Sequence, residues 1–315
     1  MLELLIKIYP PKIEIHMSKI VTLENAILQV KISKNGAELH SVYHKQHQHE
    51  YLWQGDKEVW GRHAPVLFPI VGQVEDGFYE VDDVKYKLPQ HGFARDMEHK
   101  LITQDELRCI FELRFDHDTM TKFPYKFAFR TIYEIKRNKL SITYQVDNLD
   151  TEEIYFSVGA HPGFNTDFIK NTSFEDYTIE FSEQEKFQRL LLDNGLRSGA
   201  IQEDALNGAQ TLDLKFDTFK DDAIIFDHFK SESLDIVCRH DDSRKLRVAF
   251  KDWPLLGIWT PVGKRADFVC IEPWYGVADL RDENHNFKEK YANQKLPKEE
   301  TFSATFSVEI IDKDE

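Results

Sequence analysis

Four short segments place polar side chains among glycine, proline and aromatic residues, unlike the ordinary polar turns of the rest of the chain. They are WGRHAPVLFPIVG (60–72), LPQHGFARD (88–96), FSVGAHPGFN (156–165) and CIEPWYG (270–276). In small-molecule sites a few polar groups stand in a mainly apolar and aromatic lining. The four segments are therefore the part of the sequence in which chemistry is expected.

A histidine and a glutamate in these segments could serve as a general acid and a general base. Pro162 favours an extended backbone at His161, and the small neighbouring residues leave the imidazole uncrowded. Glu272 follows four apolar residues and precedes a proline, so burial should raise the pKa of its carboxyl toward the range useful for a base. Two alternatives remain open: a strand-end histidine bonded to a backbone carbonyl, and a buried glutamate paired with an arginine.

Four other residues could bind a substrate. His91 and Arg95 share a segment flanked by proline and glycine, although a turn that simply exposes both is the alternative. Arg62 could clamp hydroxyl or phosphate oxygens, or could form a surface ion pair with a nearby acid. Asp222 differs from the other acidic turns because it leads directly into the apolar strand AIIF.

Other kinds of site lack support in the sequence. His44, His47 and His49 have spacings that could bind a metal, but they lie in a hydrophilic turn without a cysteine, which favours a solvated loop. The chain has no G-x-G-x-x-G, no P-loop and no G-x-S-x-G motif, so nucleotide-cofactor and serine-hydrolase functions are not indicated. We therefore expect neither a cofactor nor a metal site.

The composition of the chain indicates which kinds of partner and which cellular compartment are expected. Of 315 residues, 41% are apolar and 13% aromatic, and the formal charge is -15, which disfavours nucleic acid and anionic membranes as partners. The three cysteines are far apart, so a disulfide framework is not expected and a reducing, cytoplasmic compartment fits. No run of eighteen apolar residues is present. We therefore expect the protein to bind a small molecule and to be a monomer or a homodimer.

The apolar period is mostly two, which predicts strands. In residues 127–158 three alternating runs are separated by turns at Arg137-Asn138 and at 147–150, which predicts a three-stranded antiparallel meander. Short strands are also predicted at 222–229, 234–238, 246–250, 255–259, 268–271 and the C-terminus. Residues 1–16 have the features of a cloning-derived leader ending at His16-Met17, with a native extra strand as the alternative. No linker divides residues 17–315, so a single domain, one large sandwich or barrel, is predicted.

In combination, the four segments resemble the aldose 1-epimerase (galactose mutarotase-like) superfamily, and in particular its LacX-like branch. The order G-R-x-A-P-x-L-F-P-x-V-G, H-G-F-A-R, G-A-H-P-G-F and I-E-P-W-x-G is the family's, and the resemblance runs from about Ile20 to the C-terminus. It implies an all-β fold, a large antiparallel β-supersandwich with the sugar on a concave sheet. It also implies an aldose 1-epimerase, an isomerase that interconverts the α and β anomers of an aldose by opening and closing its ring.

The resemblance also implies a role for each candidate residue. His161 matches the family's general acid and Glu272 its general base, while His91 matches a second histidine that polarises the sugar. Arg62 matches an arginine at the sugar hydroxyls, and Asp222 matches a substrate-binding aspartate more loosely. The G-R-H-A-P form around Arg62 is closer to the branch that includes hexose-6-phosphate mutarotases, so Arg62 with Arg95 could bind phosphate.

Two other functions are weighed against this one. A non-catalytic carbohydrate-binding or sensing protein could use the same scaffold. A glycoside hydrolase would need two carboxylates flanking the bond to be broken, and the sequence offers Glu272 with Asp222 as an uncertain second.

Overall fold

Alternating apolar residues build most of this chain into antiparallel strands. The computed structural model describes residues 19–313, so the leader predicted for residues 1–16 lies outside the described residues. Within them, no helix combines the length and the apolar character needed to cross a membrane.

The first half of the described chain contains fourteen strands: β1 (Ile20–Glu24), β2 (Leu28–Ser33), β3 (Leu39–His44), β4 (His49–Glu50), β5 (Val66–Leu67), β6 (Phe78–Val81), β7 (Val84–Lys87), β8 (Lys100–Gln104), β9 (Arg108–Arg114), β10 (Phe127–Lys136), β11 (Lys139–Asn148), β12 (Ile154–Phe156), β13 (Val158–Ala160) and β14 (Gly163–Asn165). The second half adds β15 (Tyr177–Phe181), β16 (Gln188–Asp193), β17 (Leu196–Gln202), β18 (Thr211–Asp213), β19 (Ile224–Asp227), β20 (Ser233–Cys238), β21 (Asp241–Ala249), β22 (Leu255–Trp259), β23 (Phe268–Tyr275), β24 (Gln294–Leu296) and β25 (Thr301–Asp312).

In the part of the chain that the structure describes, helical structure is limited to single turns. The α-helix α1 (His117–Met120) is capped by Asp116, whose carboxylate accepts from the Thr119 N–H at 2.8 Å. The 3-10 turns of the described residues are Glu75–Gly77, Ala94–Asp96, Phe174–Asp176 and Phe216–Phe219.

Two large sheets form the body of the fold. One has nine strands in the order β18-β15-β20-β21-β25-β11-β10-β9-β8, and the other runs β17-β16-β19-β22-β23-β13-β5 with β14 also paired to β23. Neighbouring strands within both sheets are antiparallel. Phe68, just after β5, stacks on Phe129 of β10 with ring centroids 4.6 Å apart, so the sheets pack face to face through their apolar sides. The predicted antiparallel β-supersandwich is confirmed.

The meander predicted for residues 127–158 is correct for its first two strands and wrong for the third. β10 and β11 pair along their whole length, and Arg137 turns the chain with a positive φ of 57°. The next neighbour of β11 is the C-terminal strand β25, whereas β12 pairs with β24 and β13 joins the other large sheet. The physical reason is burial. Residues 154–160 are buried on both faces, so they suit a segment that crosses between the sheets better than a strand with one face exposed to solvent.

Strand β23 has two buried faces with different roles. Val269 and Ile271 point into the main core between the large sheets. Phe268 and Trp274 belong to two smaller apolar clusters on the opposite face. Because alternate residues of a strand share a face, Glu272 lies on this second face, away from the main core.

Candidate active site

A break in the sheet places His161 opposite Glu272. β13 ends at Ala160 and β14 begins at Gly163, and both pair with β23. Gly163 is the register partner of Cys270. Because the strands are antiparallel, the residue two positions before Gly163, His161, faces the residue two positions after Cys270, Glu272. The His161 Nε2 and Glu272 Oε2 atoms are 3.2 Å apart. The acid and the base that the resemblance implies therefore lie in direct contact.

Burial controls the protonation of this pair. Only 1% of Glu272 and 9% of His161 are exposed. Burial, with a smaller contribution from the charge of Asp222, raises the pKa of Glu272 well above its ordinary value. Burial also lowers the pKa of His161 to about 3. Both shifts favour the uncharged forms of the two groups, a protonated carboxyl and a neutral imidazole.

One alternative for Glu272 is excluded by its surroundings. No arginine of residues 19–313 lies within ion-pair distance of the Glu272 carboxyl, whose ion-pair contact is His161. The buried Glu–Arg pair that the sequence left open is therefore wrong. His161 Nδ1 has no hydrogen-bond partner of good geometry in the described chain.

A cavity of about 240 Å³ opens beside the pair. The sequence-predicted residues that line it are His91, Arg95, His161, Asp222 and Glu272. Thus five residues from four distant parts of the chain meet at one small-molecule-sized cavity. Arg62 is not among the residues that line it.

His91 is held as a hydrogen-bond donor to the cavity. Its backbone N–H donates to the Gly72 carbonyl at 2.8 Å, and its Nδ1 accepts from the Gly72 N–H at 3.1 Å. Burial lowers the pKa of His91 well below its ordinary value, so the ring is neutral and its proton lies on Nε2. The backbone of His91 has a positive φ of 65°, and the following Gly92 lies so close to Phe68 that an added Cβ would be 2.3 Å from the Phe68 carbonyl oxygen. The alternative of a turn that exposes His91 is wrong, since the residue is buried.

The two arginines occupy different positions. Arg95 lines the cavity, and its Nη2 donates to the Gln90 carbonyl at 2.6 Å. Arg62 donates from Nη2 to Asp96 Oδ1 at 2.8 Å, which is the ion pair that the sequence left open as the alternative to substrate binding. Asp96 also lies 3.8 Å from Arg95 Nε and so offsets part of the positive charge of both arginines.

Asp222 reaches the cavity through a strained turn. Its φ is 76°, and its carboxylate accepts from the Ala223 N–H at 2.8 Å just before β19 begins. The carboxylate is half-buried, and its charge contributes to the raised pKa of Glu272.

Sequence reasoning missed the tryptophans of the site. Trp60 stacks on the His161 ring with centroids 4.9 Å apart, and Trp259 meets the same ring edge-on at 5.4 Å. Trp274 donates from Nε1 to the Ala160 carbonyl at 3.2 Å, which fixes the strand end before His161. A signal for Trp259 was available, because alternation on β22 puts it on the face of Gly257, the register partner of Glu272.

The described residues bring together two groups of possible metal ligands that the sequence did not predict. They are Glu38 with His40 and His63, and His161 with Cys270 and Glu272, in each case with ligand atoms within 4.8 Å of one another. The histidine tract at 44–49 is not the solvated loop that the sequence favoured, because His44 is buried and His47 is held by other side chains. His47 Nε2 lies 3.0 Å from Asp312, and its Nδ1 lies 2.7 Å from the Tyr51 hydroxyl.

Known proteins resemble this chain over most of its length. A sequence model of the family described as aldose 1-epimerase matches residues 19–292. The chromosomal LacX protein of Lactococcus lactis subsp. lactis is 31% identical over 300 residues, which is 92% of this chain and 99% of that protein.

Solved structures agree with this assignment. A galactose mutarotase related enzyme from Lactobacillus acidophilus is 32% identical with a TM-score of 0.88, covering 93% of this chain and 97% of that one. A galactose mutarotase-like protein from Lactobacillus casei ATCC 334 is 29% identical with a TM-score of 0.87, covering 93% of this chain and 100% of that one. With its fold, its paired His161 and Glu272 and these relatives, the chain belongs to the aldose 1-epimerase family.

Proposed function

We propose that the protein is an aldose 1-epimerase that interconverts the α and β anomers of a free or phosphorylated aldose. The observation that carries the proposal is the 3.2 Å contact between His161 Nε2 and Glu272 Oε2 at the wall of a sugar-sized cavity. A binding site has no need of a matched acid and base, whereas ring opening needs both.

The reaction follows from the movement of two protons. A pyranose opens when the C1 hydroxyl loses its proton and the ring oxygen gains one. Glu272, ionised, takes the first proton, and His161, protonated, supplies the second. Rotation about the C1–C2 bond then exposes the other face of the carbonyl, and the two residues reverse their roles to close the ring. No net proton is consumed, and no electron is transferred.

A neutral His161–Glu272 pair contains the number of protons that this reaction needs. A protonated carboxyl beside a neutral imidazole has the same proton count as a carboxylate beside an imidazolium. One proton must therefore move from Glu272 to His161, whose Nε2 lies 3.2 Å from Glu272 Oε2, before the ring opens. The face of Trp60 stabilises the resulting imidazolium through a cation–π contact.

Polarimetry tests this proposal with the purified protein. Freshly dissolved α-glucose, α-galactose and their 6-phosphates should approach anomeric equilibrium faster with the protein than without it. Methyl α-glucoside is the matched control because its blocked C1 oxygen cannot lose a proton to Glu272. Release of glucose from it would indicate a glycoside hydrolase, and sugar binding without any acceleration would indicate a binding protein.

Changing His91 tests its role as a neutral donor. Asparagine tolerates the positive φ of this position but is too short to replace the Nε2–H. We expect His91→Asn to lower kcat by about 100-fold, as when one preorganised donor is lost from a transition state. An unchanged kcat in a normally folded variant, as judged by circular dichroism, would remove His91 from the reaction.

The role of Trp60 in stabilising the imidazolium of His161 can be tested by comparing an aliphatic with an aromatic replacement. Loss of the stacked indole should destabilise the imidazolium of His161 by about 1 kcal/mol, so Trp60→Leu should lower kcat roughly fivefold to tenfold. Trp60→Phe, which keeps an aromatic face, should fall between leucine and the wild type. Equal losses in both variants would point to packing alone.

Substitutions of the two arginines can be compared to test which of them contacts the substrate. Arg95 lines the cavity and Arg62 does not, so Arg95→Met should raise KM more than Arg62→Met for every substrate. If Arg95 binds the phosphate of the substrate, the increase in KM caused by Arg95→Met should be about tenfold larger for the 6-phosphate than for the free sugar. A larger effect of Arg62→Met would contradict this placement.

A further inference from the structure

The acid–base pair belongs to a larger ligand set that includes a thiol. A ring nitrogen of His161, a carboxylate oxygen of Glu272 and the Cys270 sulfur all lie within 4.8 Å of one another. Cys270 and Glu272 are alternate residues of β23 and share its second face, while His161 reaches them from the break between β13 and β14. The thiol is fully buried behind the pair, whereas the pair itself borders the cavity.

Two atoms of this set have no hydrogen-bond partner within the described chain. They are Glu272 Oε2, on a side chain that is 2% exposed, and His161 Nδ1, on a side chain that is 11% exposed. A buried polar atom without a partner carries a free-energy cost, which a ligand that binds it would relieve. A ligand that binds both Glu272 Oε2 and His161 Nε2, which lie 3.2 Å apart, would relieve this cost at the carboxyl.

The chemistry of the set suits zinc. Histidine nitrogen, cysteine sulfur and carboxylate oxygen are the three donor types that Zn²⁺ prefers, and three protein ligands leave the fourth position for water in the cavity. The charges also balance, because a thiolate, a carboxylate and a neutral imidazole cancel the charge of Zn²⁺. This matters in a buried site, where a net charge would be costly.

We propose that Zn²⁺ binds to His161, Cys270 and Glu272 and thereby switches off the acid–base pair. The inhibition, but not the metal binding, rests on the proposed function. When the metal binds, the thiol proton of Cys270 and the carboxyl proton of Glu272 are released to solvent, and no oxidation or reduction occurs. Both groups that move protons during ring opening then hold the metal instead.

The other ligand group of the described residues fits less well. Glu38, His40 and His63 would leave a net positive charge on a zinc complex, and Glu38 Oε1 already accepts from two backbone N–H groups, those of His63 and Ala64. The His40 and His63 rings also stack nearly parallel, with centroids 4.1 Å apart. This group contains no sulfur, so a spectroscopic signal from a thiolate separates the two sites.

Cobalt provides the test because a thiolate bound to Co²⁺ gives a charge-transfer band in the near ultraviolet. The full-length protein is titrated with Co²⁺, and the band is then displaced with Zn²⁺. We expect the band in the wild type and in Cys238→Ser, a buried cysteine remote from the pair, and its loss in both Cys270→Ser and Cys270→Ala. Absence of the band in the wild type, or its persistence in both Cys270 variants, would overturn the site.

Mutarotation in the presence of Zn²⁺ tests the inhibition. Each variant is compared with its own metal-free rate, so that any effect of the substitution on folding or catalysis cancels. The concentration of Zn²⁺ needed for half inhibition should rise at least about tenfold in the Cys270 variants and stay unchanged in Cys238→Ser. Equal inhibition in all variants would overturn the proposal. If metal-free protein shows no mutarotation, the proposed function fails, and the cobalt band still decides whether the metal site exists.

Discussion

Replacing Glu272 with glutamine should lower kcat/KM for aldose mutarotation by about 10³-fold. Glutamine keeps the shape of the side chain but can neither take the proton of the C1 hydroxyl nor pass one to His161, which lies 3.2 Å away. Mutarotation is followed by polarimetry under saturating and limiting substrate. Because the loss concerns proton transfer, most of it should appear in kcat and not in KM.

The fold should survive this substitution. Burial raises the pKa of Glu272 well above its ordinary value, and an amide of the same size replaces the carboxyl without burying a new charge. Glu299→Gln, at a side chain that is 82% exposed, is the matched control and should leave the rate unchanged. A Glu272→Gln variant with close to wild-type kcat would exclude Glu272 as the base.

The largest effect on stability is expected at a buried ion pair next to the site. Lys290 and Asp279 are both buried; the Lys290 ammonium donates to an Asp279 oxygen and, at 2.7 Å, to the Val277 carbonyl. The other Asp279 oxygen accepts from the Glu75 N–H at 2.9 Å. The pair thereby ties the segment after β23, whose Val277 lines the cavity, to the loop before β6.

Lys290→Met should destabilise the fold by about 3–5 kcal/mol, because it leaves the Asp279 carboxylate buried without a counter-charge. Denaturant unfolding of the variant measures this difference. Adding Asp279→Asn should restore part of the lost stability, since the asparagine oxygen still accepts from Glu75 but carries no charge. Lys298→Met, at an exposed lysine, should change the stability by less than about 0.5 kcal/mol. Equal effects of Lys290→Met and Lys298→Met would show that the pair contributes nothing.

The sequence was sufficient to predict the strands that show alternating apolar residues and the candidate residues whose chemistry stands out from their neighbours. The pairing of β10 with β11 follows from the period of two and from the turn at Arg137. His161 and Glu272 stood out because proline, glycine and apolar neighbours surround a polar side chain in each case. Their partnership in one site came from the family resemblance, since nothing local in the sequence relates residue 161 to residue 272.

Features that depend on distant pairing could not be predicted. The strand next to β11 is β25, more than 150 residues away in the chain, and no local pattern encodes that choice. The position of Cys270 beside the pair depends on the register of β14 against β23, and Trp60 reaches His161 from a distant loop. Arg62 illustrates a further limit, because an arginine that binds Asp96 and one that binds a substrate have the same local sequence.

Exchange spectroscopy by NMR on an equilibrated aldose solution tests the central claim most directly, since it measures the rate at which α and β anomers interconvert. The protein should raise this rate, and His161→Asn, Glu272→Gln and the double variant should all lose nearly the same large factor, because the two residues act as one proton-transfer unit. Losses that simply multiply in the double variant, or no acceleration by the wild-type protein for any aldose or aldose phosphate, would contradict the account.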